Sequence, residues 1–169
     1  MTVDLLRHPA VAAAWDRPSA LPDFRVSGLA GHLARGLTQV DKIASEPPSV
    51  QQPIPLLDHF ARSDWASADR DDAVHVAIRE RGETTASGGA SPLADAAAAA
   101  LRRLQAALPA EPADRVIELR GLWALRLDDF LMTRLLELVV HIDDLAVSAG
   151  IPTPAVPEDA NAAVIELLV

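Results

Sequence analysis

Glu137 and His141 sit four residues apart in the run Arg134-Leu135-Leu136-Glu137-Leu138-Val139-Val140-His141-Ile142-Asp143-Asp144-Leu145. On an α-helix this spacing projects both side chains from one face, so a carboxylate oxygen and an imidazole nitrogen can meet at a single cation. A catalytic metal generally takes three protein ligands and keeps a further position open. The candidate third ligand is His32, in Gly28-Leu29-Ala30-Gly31-His32-Leu33-Ala34-Arg35. On a helical wheel His32 falls about 100° from Leu33, at the edge of an apolar stripe, where a side chain can reach a pocket between helices. A plainer reading stands beside this one. Arg134, Glu137 and His141 also suit a helix-face ion pair with a hydrogen-bonded histidine, and His32 also suits an ordinary boundary position.

On the same wheel Arg134, Glu137, His141, Asp144 and Ser148 fall on one narrow strip. Leu127, Leu131, Leu138, Ile142 and Leu145 flank it on one side, and Leu136, Val140 and Val147 on the other. A polar strip between two apolar arcs is hard to place at a surface. Burying it costs several kcal/mol per ion unless the charges pair with each other or with a metal. The expectation is a polar pocket inside a helix bundle. Asp144 is spaced to orient the His141 imidazole or a bound water, or else it is a surface carboxylate. Arg134 can hold a substrate carboxylate with two N–H groups, or it neutralises Glu137. His8, His59 and His75 have no matching context and read as surface or boundary residues. In Asp58-His59 the two side chains diverge, since neighbours on a helix point about 100° apart.

The elements that must position these residues follow from periodicity and punctuation. Residues 3–15 read as a first helix whose early part is limited by Pro9. A second runs from residues 24–27 to Ala44, with Val26, Leu29, Leu33, Leu37 and Val40 as its buried stripe. Gly28, Gly31 and Gly36 each weaken that helix by up to about 1 kcal/mol relative to Ala, which points to close approach of another backbone or of a ligand. Residues 47–55 form a Pro-rich loop, and Asp58 is a plausible N-cap for a third helix ending near Gly82. Residues 82–90 read as a flexible connection, followed by a fourth helix over residues 92–108 that opens on Ser91-Pro92. Residues 115–125, around Gly121, alternate in the manner of an extended segment or short hairpin. The fifth helix starts near Leu127 and ends at Gly150, and a last helix opens at Pro157-Glu158-Asp159.

The 169 residues fit one domain, residues 1–169, with a sizeable core. The composition is 50% hydrophobic with three Phe, three Trp and no Tyr, which favours helices over a β-sandwich. A formal net charge of −9 without a local Lys/Arg cluster argues against nucleic acid and anionic membranes as partners. No basic leader and no long apolar run is present, so a cytoplasmic location is expected. With no Cys at all, disulfides, thiolate zinc sites and a cysteine nucleophile are excluded. Any thiol chemistry needs sulfur from a small molecule.

Gly31-His32-Leu33-Ala34-Arg35, followed far along the chain by Arg134-x-x-Glu137-x-x-x-His141-x-x-Asp144-Leu145, resembles the metal-binding N-terminal domain of mycothiol-dependent maleylpyruvate isomerases. That family belongs to the larger DinB-like group of four-helix bundles. The likeness spans residues 11–149 and includes Asp64-Trp65-Ala66 on the predicted third helix. It implies a divalent metal, usually zinc, held by His32, Glu137 and His141. It also implies a low-molecular-weight thiol, mycothiol or similar, which as thiolate adds to an unsaturated acid so that a cis double bond can rotate before the thiol leaves. A bound dication lowers the pKa of a coordinated thiol, in keeping with this chemistry. The mixed nitrogen and oxygen donors suit nickel, iron or manganese as well as zinc. The family's full enzymes carry a second domain that contributes to substrate binding, whereas only residues 151–169 follow Gly150 here.

The expectation is therefore an all-α, DinB-like four-helix bundle with extra short helices and a short extended segment before the fifth. Its function would be that of a metal-dependent, thiol-using isomerase or transferase, with a small thiol and an electrophilic small molecule as partners and room for a homodimer. The alternative is a non-catalytic metal-binding bundle that acts as a structural or partner-binding module.

Overall fold

The computed structural model describes residues 1–64, 68–112, 114–119 and 122–169. Pro9 splits the expected first helix in two. Helix α1 (Thr2–Leu6) closes on Arg7, and α2 (Pro9–Ala13) starts with the proline at its first position, where no backbone N–H is needed. The exposed His8 ring caps α2, accepting from the Ala10 backbone N–H at 3.2 Å. Helix α3 (Val26–Ala44) buries Val26, Leu29, Leu33, Leu37 and Val40, the stripe read from the sequence.

The long third helix expected between Asp58 and Gly82 does not form. Instead α4 (Leu56–Arg62) begins behind Pro55, with Asp58 inside its first turn rather than at the cap, and α5 (Ala73–Ala86) follows separately. Helix α5 runs through Gly82, so part of the stretch expected to be a flexible connection is helical. Gly82 has a tertiary role. A Cβ built on Gly31 would lie 2.0 Å from the Gly82 carbonyl oxygen, and one built on Gly82 would lie 2.3 Å from the Gly28 carbonyl oxygen. Helices α3 and α5 thus meet backbone to backbone, which is the close approach that the α3 glycines suggested.

Helix α6 (Ala90–Ala107) starts at Gly89, whose φ of +92° suits glycine, and Pro92 falls inside the first turn. The extended segment is an antiparallel hairpin of β1 (Val116–Leu119) and β2 (Trp123–Arg126), with Val116 opposite Arg126 and Leu119 opposite Trp123. Gly121 lies outside the described residues. Part of the Pro-rich loop lies along β2, where Ile54 N–H donates to the Ala124 carbonyl at 3.0 Å. Helix α7 (Leu127–Ala149) ends on Gly150 in the left-handed conformation, and α8 (Glu158–Leu168) packs back on α7.

The long helices α5, α6 and α7 all pack on α3, giving the expected all-α bundle with short accessory helices. Two apolar cores form. One gathers α1, α2, most of α3, α6 and the C-terminal half of α7; the other, around Val40, Ile43, Leu125 and Phe130, lies at the hairpin end. The second core takes α7 as far as Leu131 and the first resumes at Leu138. Arg134 and Glu137 sit where the two cores part. Among the described residues no helix is long and apolar enough to cross a membrane.

Candidate metal centre

Packing of α3 on α7 brings His32 against the strip that carries Glu137 and His141. His32 Nε2 lies 2.9 Å from Glu137 Oε2, and His141 Nε2 lies 3.4 Å from the same oxygen. The imidazole centroids are 4.8 Å apart with the ring planes at 78°. One donor atom from each of the three residues falls within 4.8 Å of the other two. A tetrahedral zinc site with bonds of about 2.0–2.2 Å separates its donors by roughly 3.3 Å. The three donors therefore fit a divalent ion with small side-chain adjustments.

The electrostatics point the same way. Burial pushes the Glu137 carboxyl up, but hydrogen bonds from His141 and His32 and the charge of Arg134 outweigh it and hold Glu137 well below the usual carboxylate range. Burial likewise pushes His141 down, and its bonds to Glu137 and Asp144 outweigh that and raise it above an ordinary imidazole. An ionised, half-buried carboxylate facing two imidazoles is a cluster that binds positive charge, whether as protons or as a cation that displaces them. Asp144 Oδ2 lies 2.8 Å from His141 Nδ1. A carboxylate can only accept, so Nδ1–H donates and Nε2 is turned toward Glu137, the arrangement typical of a metal-bound histidine.

Arg134, three residues before Glu137, makes no ion pair with it among the described residues. Its Nε donates to Thr133 Oγ1 at 3.1 Å, and its guanidinium carbon lies 5.7 Å from the Phe130 ring centroid. Arg134 lines a cavity of about 690 Å³ together with His32, Glu137 and His141. Arg35, Lys42 and Arg81 line it too, an accumulation of cations in a chain whose formal net charge is −9. Burial and the charges of Arg81 and Arg134 push the Arg35 guanidinium down, as expected for cations that face one another.

Three expectations need correction. The strip is not enclosed by the bundle: its first apolar arc packs into the cores, but on the second arc Val140 is 46% and Val147 57% exposed, so the pocket opens at one side. Ser148 does not join the site; its Oγ accepts from the Ala20 backbone N–H at 2.8 Å and ties down the loop before α3. His59, expected at the surface or boundary, is 8% exposed and lines the cavity, with Trp123 Nε1–H donating to its Nδ1 at 3.0 Å. His75 is half-buried. Of the Asp64-Trp65-Ala66 pattern, Trp65 and Ala66 lie outside the described residues.

Arg35 was within reach of sequence reasoning, since it follows His32 by three residues and so shares its face of α3. Arg81 and His59 were not, because their helices begin and end elsewhere than punctuation suggested. Among known proteins, the family model for the mycothiol maleylpyruvate isomerase N-terminal domain matches residues 2–146, from α1 through most of α7 and across all three candidate ligands. No curated protein and no solved structure gives a match. A helical bundle, a convergent His, Glu and His set and a family match over most of its length agree: the chain belongs to the mycothiol maleylpyruvate isomerase N-terminal domain family.

Proposed function

We propose that this protein is a metal-dependent cytoplasmic enzyme that uses a low-molecular-weight thiol, mycothiol or a close relative, against an electrophilic small molecule in an isomerase or transferase reaction. What supports this above all is the convergence of His32, Glu137 and His141 on the wall of a cavity of about 690 Å³. In this reading those three residues hold a divalent cation, zinc first, with nickel, iron and manganese also admitted by the donor set. Such an ion, when bound, lowers the pKa of a coordinated thiol so that it binds as thiolate near neutral pH.

The remaining tasks fall to side chains of the protein. Asp144 keeps the His141 ring in one tautomer and one orientation. Arg134, half-buried and without an ion pair among the described residues, holds a substrate carboxylate through two N–H groups. The cavity lies in the range of about 300–1,000 Å³ that encloses small-molecule ligands, with room for a thiol and an acid side by side. Since the chain has no Cys, the nucleophilic sulfur has to be imported.

A second reading, a non-catalytic metal-binding bundle, is favoured by the exposed Val140 and Val147, which suit contact with a partner or a second copy. Metal analysis of the parent and a His141→Ala variant, with thiol-dependent consumption of an α,β-unsaturated acid, separates the two. Near one equivalent of metal and thiol-dependent turnover in the parent, both lost in the variant, supports the enzyme. Metal binding without any effect of thiol supports the structural module.

A further inference from the structure

His59 stands apart from the three candidate ligands but lines the same cavity. It rides on α4 and is 8% exposed, with its ring edge-on to Trp123 at 5.8 Å and to Phe60 at 5.3 Å between centroids. Its Nδ1 accepts the Trp123 indole N–H at 3.0 Å. An indole nitrogen only donates, so Nδ1 carries the lone pair and, in the neutral ring, Nε2 carries the hydrogen. Burial, and behind it the positive charge of Arg134, keeps His59 below the ordinary histidine value, which favours the neutral ring.

Nε2 has no hydrogen-bond partner among the described residues. A fixed N–H donor in a nearly buried residue that lines the cavity, with no acceptor among the described residues, suits an acceptor carried by a ligand. The neighbourhood specifies which kind. Arg35, Lys42, Arg81 and Arg134 line the cavity against two carboxylates, Glu118 and Glu137, and Glu137 is engaged by the two histidines.

We propose that His59 Nε2–H and the Arg134 guanidinium together form a carboxylate-binding subsite in this cavity, with Trp123 as the positioning residue that fixes which His59 nitrogen donates. The proposal deepens the substrate reading given above, on which it rests for the role of Arg134, and it needs no metal to be tested. The two donors differ in kind: Arg134 supplies charge and His59 supplies direction, so a carboxylate oxygen is held at a defined angle.

The test is nitrogen-15 NMR of the histidine side chains of the full chain, metal-free and metal-loaded, titrated with succinate and with succinamide as the uncharged control. His59 should show a lone-pair Nδ1 and a protonated Nε2 at neutral pH and above, and its Nε2–H signal should move saturably with succinate only. His59→Leu should weaken succinate binding about tenfold, the order expected for one hydrogen bond to a charged group. Trp123→Phe, which leaves the His59 ring in place, should mix the two tautomers and weaken binding several-fold. A hydrogen on Nδ1 instead of Nε2, an equal response to succinamide, or no response to succinate overturns the proposal. If metal and thiol activity are present while His59 stays silent, only the subsite falls. If succinate moves His59 in a protein that binds no metal, the metal reading falls and the subsite stands.

Discussion

His32 and Glu137 stand 105 positions apart in the chain, yet His32 Nε2 lies 2.9 Å from Glu137 Oε2. The contact exists because α3 and α7 pack together at the level where the two apolar cores part. With His141, the pair forms a candidate set of donors for a divalent cation.

Metal content is the first expected consequence. The parent protein should carry about one divalent ion per chain, and His32→Ala or His141→Ala should reduce this at least tenfold, measured by elemental analysis. Removing the ion with a chelator should also lower the melting temperature. A free metal concentration of 100 times Kd stabilises by about 2.7 kcal/mol, and each kcal/mol shifts Tm by about 2–4 °C for a chain of this size. A melting curve indifferent to chelation would show that the three side chains are a network of their own.

Asp144→Asn should leave the ligand set intact while loosening it. The asparagine cannot accept the His141 Nδ1–H as strongly, so metal affinity should fall about 10- to 100-fold. Competition with a chromophoric chelator measures this directly. Unchanged affinity would return Asp144 to the status of a surface carboxylate.

Gly31→Ala should be among the most damaging single-methyl substitutions in the protein. The added carbon would meet the Gly82 carbonyl oxygen at 2.0 Å, backbone against backbone, so α3 and α5 must separate. A loss of at least about 1–3 kcal/mol in urea unfolding is expected. Gly88→Ala is the control: its new Cβ finds nothing nearer than Pro92 Cβ at 3.5 Å, and it should stay within about 0.5 kcal/mol of the parent.

His59 ties stability to pH with a defined sign. Burial first, then the Arg134 charge, holds it below the usual histidine value in the folded state. The unfolded chain takes up that proton near pH 6.5 and the folded protein only at lower pH. Over that interval the unfolded state binds more protons, so the contribution is fully present above about pH 6.5 and is lost as pH falls through the folded value. His59→Gln lacks this linkage. The stability difference between parent and variant should therefore narrow as urea titrations are moved from pH 7.5 to pH 5, and a constant difference would show that His59 does not titrate as its surroundings dictate.

Much of the site was legible in the sequence because the features involved are local. Glu137 and His141 share a face through helix geometry alone, Gly150 ends α7 because glycine tolerates its φ of +68°, and alternation sufficed to place the hairpin before α7. His32 was recognisable as a boundary residue from the stripe beside it. Gly82 was not readable: a glycine that ends a helix and a glycine that lets another backbone approach look alike until Gly28 and Gly31 are set against it. The same limit applies to the two arcs of α7, where periodicity marks Val140 and Leu145 as equally apolar but only packing covers Leu145 and leaves Val140 open. It applies most to His59, whose tautomer is decided by Trp123, 64 positions away. Spacing along the chain determines which side chains share a face, because helix geometry is local. What that face meets is set by long-range packing, which no stretch of residues carries by itself.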